Sequence, residues 1–274
     1  MPVSALLLAL AAAVVHASWN LLLSDAEDVH SSSAVAVAAG ALLFAPVAAL
    51  TWRLHSAAVP YVAASSALET LYLVLLATGY SVAAMGFVYP VARGSAPVIV
   101  LAISALALGA GVSALAAIGV LVVAAGIVLV RGLRISGRRR DLVVALSVGA
   151  CIAGYTLVDK RGIAHAAPIS YLEVVFGVVA LAYVLAVWRV RGAAALRAAV
   201  TPSSVLAGIG FFGAYGLTLA ALRLAPAASV AAVRESSVVI AAVILALGHR
   251  EHIGVERFTG AALVVAGIAL ISLG

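Results

Sequence analysis

The stretch YPVARGSAPVIV, Tyr89 to Val100, decides how the rest of the chain is read. Arg93 stands in it among small and apolar residues, with no other Asp, Glu, Lys or Arg within twenty positions on either side. A guanidinium does not lose its charge, so it must find a partner or water wherever it is placed. The composition says where that is. Hydrophobic residues make up 66% of the chain and charged residues 9%, with a mean hydropathy of +1.25. A soluble domain carries about a quarter charged residues. The solvent around this chain is therefore mostly lipid, and 274 residues leave room for ten spans of roughly 20 residues each.

Hydropathy and turn residues predict helices near 3–23, 32–52, 59–79, 82–108, 112–131, 141–160, 168–189, 202–222, 227–248 and 254–273. Pro60 and Pro202 fall where a first helical turn tolerates proline. Pro90 and Pro97 fall inside the fourth span, which is expected to be kinked or locally unwound there. The net charge of +6 is no nucleic-acid signal, because the basic residues lie between apolar runs. The first apolar run lacks a basic leader and is long enough to span, so no signal peptide and no flanking soluble domain is expected. The single cysteine, Cys151, cannot form an internal disulfide and reads as a packed small hydrophobe.

The basic stretch RGLRISGRRRD, Arg131 to Asp141, divides the chain nearly in half. Setting Arg93 on Arg234 gives an offset of 234 − 93 = 141, at which residues 93–127 and 234–268 agree at 12 of 35 positions without a gap. The matches include Ser95 with Ser236, Gly119 with Gly260 and Gly126 with Gly267. The chain thus reads as repeats 1–131 and 141–274 joined by a basic linker, 132–140. Five spans per repeat is an odd number, so the second repeat enters from the opposite face. Such inverted repeats surround a midplane site in many secondary transporters. The expected fold is all-α, ten transmembrane helices in two inverted five-helix repeats around a central cavity.

These features resemble the drug/metabolite transporter superfamily, in its ten-helix EamA-like branch. The resemblance covers the whole chain. It rests on HASWN in the first span, the YPVARGSAPVIV span, the Gly-rich stretches GVLVVAAGIVLV and GAALVVAGIAL, and the repetition itself. It implies a cavity lined by spans 1, 3, 4, 6, 8 and 9, with spans 5 and 10 peripheral. The four-helix multidrug members of the superfamily keep a glutamate in their first helix. Here that span holds His16, Trp19 and Asn20 but no acid, which argues against cation–proton antiport of that kind.

Charge in the bilayer core costs at least about 2.5–3.5 kcal/mol per residue. Arg93 and Arg234 fall near the middle of their spans and can either hold an anionic ligand or pin helices through acids. The acids within reach are Glu69, Glu173 and Glu235, with Asp159 near an end of the sixth span beside Lys160. Glu69, from the neighbouring span, is the expected partner of Arg93. Glu235 follows Arg234 directly, about 100° away on a helix, so the two are not expected to face one partner. His16, Trp19 and Asn20 share a helix face, as do Glu69 and Tyr72. His16 reads as either a packing residue or a proton-sensitive contact. Tyr155 takes in the sixth span the place of Trp19 in the first, and Tyr215 is a second aromatic wall. With Tyr89 and Ser236, these complete the candidate substrate-binding set; Glu69 and Glu235 are the candidate proton carriers. The glycines at 119, 126, 260 and 267 read as packing positions. The His249/His252 pair reads as part of a solvated turn. No metal spacing, nucleotide loop or catalytic triad is present, so neither a cofactor nor enzymatic activity is expected.

The function so defined is alternating-access export of a small polar or amino-acid-like compound across the cytoplasmic membrane, by a monomer or homodimer. A lipid flippase subunit, or an intramembrane enzyme acting on a lipid phosphate, is the alternative. Loops after the fifth, seventh and ninth spans carry ten Lys or Arg, and the other face carries Arg53, Lys160, Arg161 and Arg223. This count places both termini outside; the resemblance implies termini inside.

Overall fold

The computed structural model describes residues 1–24, 26–82, 85–109, 111–131, 139–249 and 254–274. Residues 132–138, most of the expected linker, and His252 of the histidine pair lie outside this set. The helices are α1 (Val3–Ser24), α2 (Val29–Leu50), α3 (Val59–Val82), α4 (Met85–Leu106), α5 (Ala114–Arg131) and α6 (Arg139–Gly162). They continue with α7 (Pro168–Ala198), α8 (Pro202–Leu224), α9 (Ala227–Arg234), α10 (Ser237–His249) and α11 (Val255–Leu273). Among the described residues, nine helical segments are long and apolar enough to cross a membrane; α9 and α10 together form one of them. The apolar part of α5, Ala114–Val130, supplies the tenth crossing. In hydrocarbon the helix satisfies its own backbone, so apolar runs of this length fold in no other open form.

Local chemistry sets the helix ends. Asp28 caps α2, accepting from the amides of His30 at 3.1 Å and Ser31 at 3.2 Å. Thr201 caps α8 from the Ser204 amide, with Pro202 in the first turn. α7 outruns its expected end at 189, but Gly192 (φ 82) breaks its helical geometry and divides off a last short stretch. That backbone belongs to the left-handed region, which glycine enters freely.

The four paired glycines hold α5 against α11. A Cβ at Gly119 would lie 2.7 Å from the Gly267 carbonyl oxygen, and one at Gly126 would lie 2.7 Å from that of Gly260. The contacts run in opposite directions along the two helices, so α5 and α11 are antiparallel. They also exchange under the 141-residue offset. That is the signature of a pseudo-two-fold axis relating inverted repeats. Packing elsewhere follows the same exchange: α1 lies on α8 as α6 lies on α3, and α2 lies on α7.

The break expected in the fourth span is in the ninth. α4 runs through Pro90 and Pro97 as one helix. The interruption falls at Glu235 and Ser236, where the amides of Ser236 and Val238 bond to carbonyls three residues back. Proline removes one donor, but neighbouring helices can absorb that defect in a membrane.

One face of the molecule is closed by backbone pairing. The His55 amide donates to the His165 carbonyl at 3.0 Å and the Ala167 amide to that of Arg53 at 2.7 Å. The α2–α3 and α6–α7 connections are thereby joined, with Leu54 bridged to Ala166. On the same face the Lys160 ammonium donates to the Leu222 and Ala225 carbonyls. Arg223 returns the contact, donating to Ile163 at 3.2 Å and Ala166 at 3.1 Å. Cys151 is buried in α6, as expected of a packed hydrophobe.

Candidate functional site

A cavity of about 770 Å³ lies between the repeats. α1 contributes His16, Trp19 and Asn20; α3 Glu69 and Tyr72; α4 Tyr89 and Arg93; α6 Tyr155; α8 Tyr215; α9 Arg234. Ten of the eleven candidate binding residues thus share one cavity. Ser236 is absent from the lining, although its buried hydroxyl has no hydrogen-bond partner among the described residues. α2 and α7 also line the cavity, through Ser33, Val37, Phe176 and Tyr183. The expected lining by spans 1, 3, 4, 6, 8 and 9 alone was too narrow. The cavity extends past Ser24, Val29 and His30 toward the face that carries the basic loops.

The floor is ionic. Arg93 Nη1 donates to both Glu235 carboxylate oxygens at 3.3 Å, and Arg234 Nη2 donates to Glu235 Oε1 at 3.3 Å. Both sequence expectations about pairing are overturned here. Arg93 pairs with Glu235 and not with Glu69. Glu235 and Arg234 do meet: the Glu235 amide still bonds to the Ala231 carbonyl at 3.2 Å, so the backbone step is helical, and the contact is made by the reach of the two long side chains. All three side chains are buried, and removing one partner of such a pair is strongly destabilising. Arg234 Nε is buried with no partner among the described residues.

Arg93 Nη2 also lies 3.2 Å from His16 Nε2. Arginine has no acceptor, so His16 must accept through Nε2 and carry its hydrogen on Nδ1. His16 is therefore a neutral imidazole in this arrangement. The Arg93 guanidinium lies 5.3 Å from the centre of the Tyr89 ring, within cation–π range. Asn20 turns its amide back to the His16 carbonyl at 2.8 Å.

The walls are aromatic. Trp19 packs edge-on against His16 and Phe211, and its buried Nε1 lacks a partner among the described residues. Phe176 packs edge-on against Tyr215 and Phe211. The Tyr72, Tyr155 and Tyr215 rings follow one another at 6.2 Å.

Behind the floor lies a group that the sequence did not rank. The Asp159 carboxylate accepts from Ser65 at 2.6 Å, Tyr171 at 2.9 Å and Tyr215 at 2.5 Å. The Tyr215 hydroxyl also reaches Glu69 Oε1 at 3.0 Å. The available signal was spacing: Asp159 follows Tyr155 by four residues and so shares its face. In the sequence it stands near a span end beside Lys160. Glu173 pairs with neither arginine, and its Oε2 has no partner among the described residues.

Ten crossings, a pseudo-two-fold axis and a charged central cavity define a multi-pass membrane protein built on the inverted-repeat plan of secondary transporters. Residues 140–273, which span the second repeat, match the sequence model of the EamA-like transporter family. A solved crystal structure, titled only as that of a protein, matches 100% of this chain over 98% of its own at a TM-score of 0.76 and 17% identity. At that identity it speaks for the fold alone. No curated protein matches the chain.

Proposed function

We propose that the protein exports a small compound bearing a carboxylate, amino-acid-like in size, by alternating access across the cytoplasmic membrane. One observation carries this reading. The two arginines related by the repeat meet at the cavity floor with one carboxylate, Glu235, between them. The first repeat has Gly94 where the second has Glu235, so two guanidiniums share one resident anion. The free edge of Arg234 suits a ligand carboxylate, which a guanidinium holds in a fork. The cavity volume, about 770 Å³, falls in the range of small-molecule sites. Charge supports this direction: with the basic face cytoplasmic by the positive-inside rule, the cavity opens to the cytoplasm and can be loaded from it. Transport needs no covalent chemistry, and we assign none.

The test is counterflow in proteoliposomes with a panel of labelled amino acids and small carboxylic acids. Saturable exchange of at least one compound, lost in Arg93→Ala, supports the reading. No exchange of any carboxylate, together with protein-dependent movement of a labelled phospholipid between leaflets, would replace it with the flippase reading.

A further inference from the structure

We propose that Glu69 and Asp159 form a single proton-binding site, holding one proton between them through the Tyr215 hydroxyl. The argument is a count of hydrogens. Tyr215 stands 3.0 Å from Glu69 Oε1 and 2.5 Å from Asp159 Oδ2. Its hydroxyl has one hydrogen, and ionised carboxylates only accept. With both acids ionised, one contact would bring two oxygens together with no hydrogen between them. With one acid protonated, that acid donates to the Tyr215 oxygen while Tyr215 donates to the other. Both contacts are then made.

The surroundings decide which acid holds the proton. Asp159 Oδ1 accepts from Ser65 and shares the Tyr171 hydrogen with the Tyr61 carbonyl, so with Tyr215 it has more donors in reach than Glu69, whose hydrogen-bond partner among the described residues is Tyr215. Such a set favours the ionised form. Asp159 is therefore the carboxylate and Glu69 the acid. The charged groups facing them are Arg93 on α4 and Arg234 on α9, with Glu235 between the arginines. Lys160, though next to Asp159, turns away to the Leu222 and Ala225 carbonyls. Neutral His16 and the Tyr72 and Tyr155 rings line the same cavity as Glu69. With one shared proton, the two arginines balance Glu235 and the Glu69/Asp159 pair, so the charge of these five groups sums to zero.

The site is two-sided. Glu69 lines the cavity, while Asp159 is absent from the lining and bonds to Tyr171, whose hydroxyl also reaches the Tyr61 carbonyl on the closed side. Transfer is a relay. The Glu69 O–H bond breaks as one forms on the Tyr215 oxygen; the original Tyr215 O–H breaks as one forms on Asp159. The proton number is unchanged, and the negative charge moves from Asp159 to Glu69. As the coupling site of a transporter this rests on the function proposed above; as a proton site it does not.

The experiment is infrared difference spectroscopy of the purified protein in lipid, with protons as the only ligand. At neutral pH the wild type should show the carbonyl stretch of a protonated carboxylic acid, shifted in D2O. Glu69→Gln and Asp159→Asn should each abolish that same component, because a lone surviving carboxylate takes the Tyr215 hydrogen and ionises. A wild type with no such band would overturn the proposal, whether or not the variants fold. So would a band that Glu69→Gln removes and Asp159→Asn leaves unchanged. No transport substrate enters these measurements, so failure here and failure of the transport reading are distinguishable.

Discussion

Arg93 and Arg234, one repeat apart in sequence, both donate to the Glu235 carboxylate at 3.3 Å. Glu235 stands at the junction of α9 and α10, where its carboxylate faces both arginines. Half-helix ends near a bilayer midplane are where transporters of this architecture bind their ligands. At the first-repeat equivalent of Glu235, Gly94 packs against α5, where a Cβ would meet Val128 at 3.1 Å and the Ala124 carbonyl at 3.3 Å. A side chain there would need Val128 and the α5 backbone to give by a few tenths of an ångström. The repeats thus differ here in packing as well as in charge.

Arg93→Ala should lose transport and also stability. It takes from Glu235 one of its two cationic partners, and breaking a buried pair costs about 3–5 kcal/mol. Arg93→Lys keeps the charge but loses the fork, so it should recover much of the stability and little of the transport. Thermal unfolding in detergent and counterflow at matched expression separate the two. Equal transport by wild type, Ala and Lys proteins would show that the ligand does not touch Arg93.

Much of this fold is legible in the sequence because lipid leaves few options. Runs of about 20 apolar residues become helices, and the offset joining Arg93 to Arg234 reveals the axis. The shared cavity is legible for the same reason: an ionisable residue at the midplane cannot face lipid. Pairing is not legible. Glu69 was matched to Arg93 because their helices follow one another, but α3 packs mainly on α6 and α7. The break at Glu235 has no proline to mark it, whereas Pro90 and Pro97 mark a helix that does not break. Asp159 reads in the sequence as an acid near a span end beside Lys160, and nothing in the sequence shows that joined loops seal that end.

Gly267→Val should destabilise the protein by about 1–3 kcal/mol, the usual effect of overpacking. Its Cβ would come within 2.7 Å of the Gly119 carbonyl oxygen, and backbone cannot step aside. Gly177→Val, where a Cβ meets nothing within 4 Å, is the control. A lower melting temperature for Gly267→Val alone is the expected outcome. Equal melting temperatures would mean that α5 and α11 do not cross at these glycines.

The α2 cap should weaken in acid. Hydrogen bonding from the Ser31 side chain holds the Asp28 carboxyl below the usual carboxylate range, with a further contribution from the Ser31 amide. A depressed folded-state value gives stability that is present above the unfolded value and lost as pH falls through the folded one. The window therefore lies below the ordinary aspartate range, and neutral pH leaves the cap intact. Hydrogen exchange at the His30 and Ser31 amides, corrected for intrinsic rates, should rise across that window. Asp28→Ala should weaken the cap by about 1 kcal/mol at neutral pH, and Asp28→Asn much less. Protection that ignores pH would remove the carboxylate from this role.

The C-terminus should lie outside the cytoplasm. By sequence, the loops after the fifth, seventh and ninth spans carry ten Lys or Arg and the opposite connections four. Of those four, Lys160 and Arg223 are bound to backbone carbonyls, which leaves 4 − 2 = 2, Arg53 and Arg161, to compete as topological signals. A C-terminal reporter that works only in the cytoplasm should stay silent, and one that works only outside should respond. The reverse pattern would make the basic face external and the transport direction inward.

Lys160 and Arg223 should also hold the closed face shut. Lys160 reaches from α6 to carbonyls at the end of α8, and Arg223 reaches from α8 to carbonyls of the α6–α7 connection. Hydrogen bonds from a charged donor contribute about 1.5–3 kcal/mol. Arg223→Met frees the Ile163 and Ala166 carbonyls beside the strand-like pairing of Leu54 with Ala166. That pairing should open more often, with exchange of the His55 and Ala167 amides about tenfold faster or more. Alternating access requires this face to open and the basic face to close, so the variant should populate the opposite state. A cysteine at Ser24, on the cavity wall near the basic face, should then react more slowly with a membrane-impermeant maleimide. Unchanged exchange and unchanged labelling would assign the closure to the backbone bridge alone.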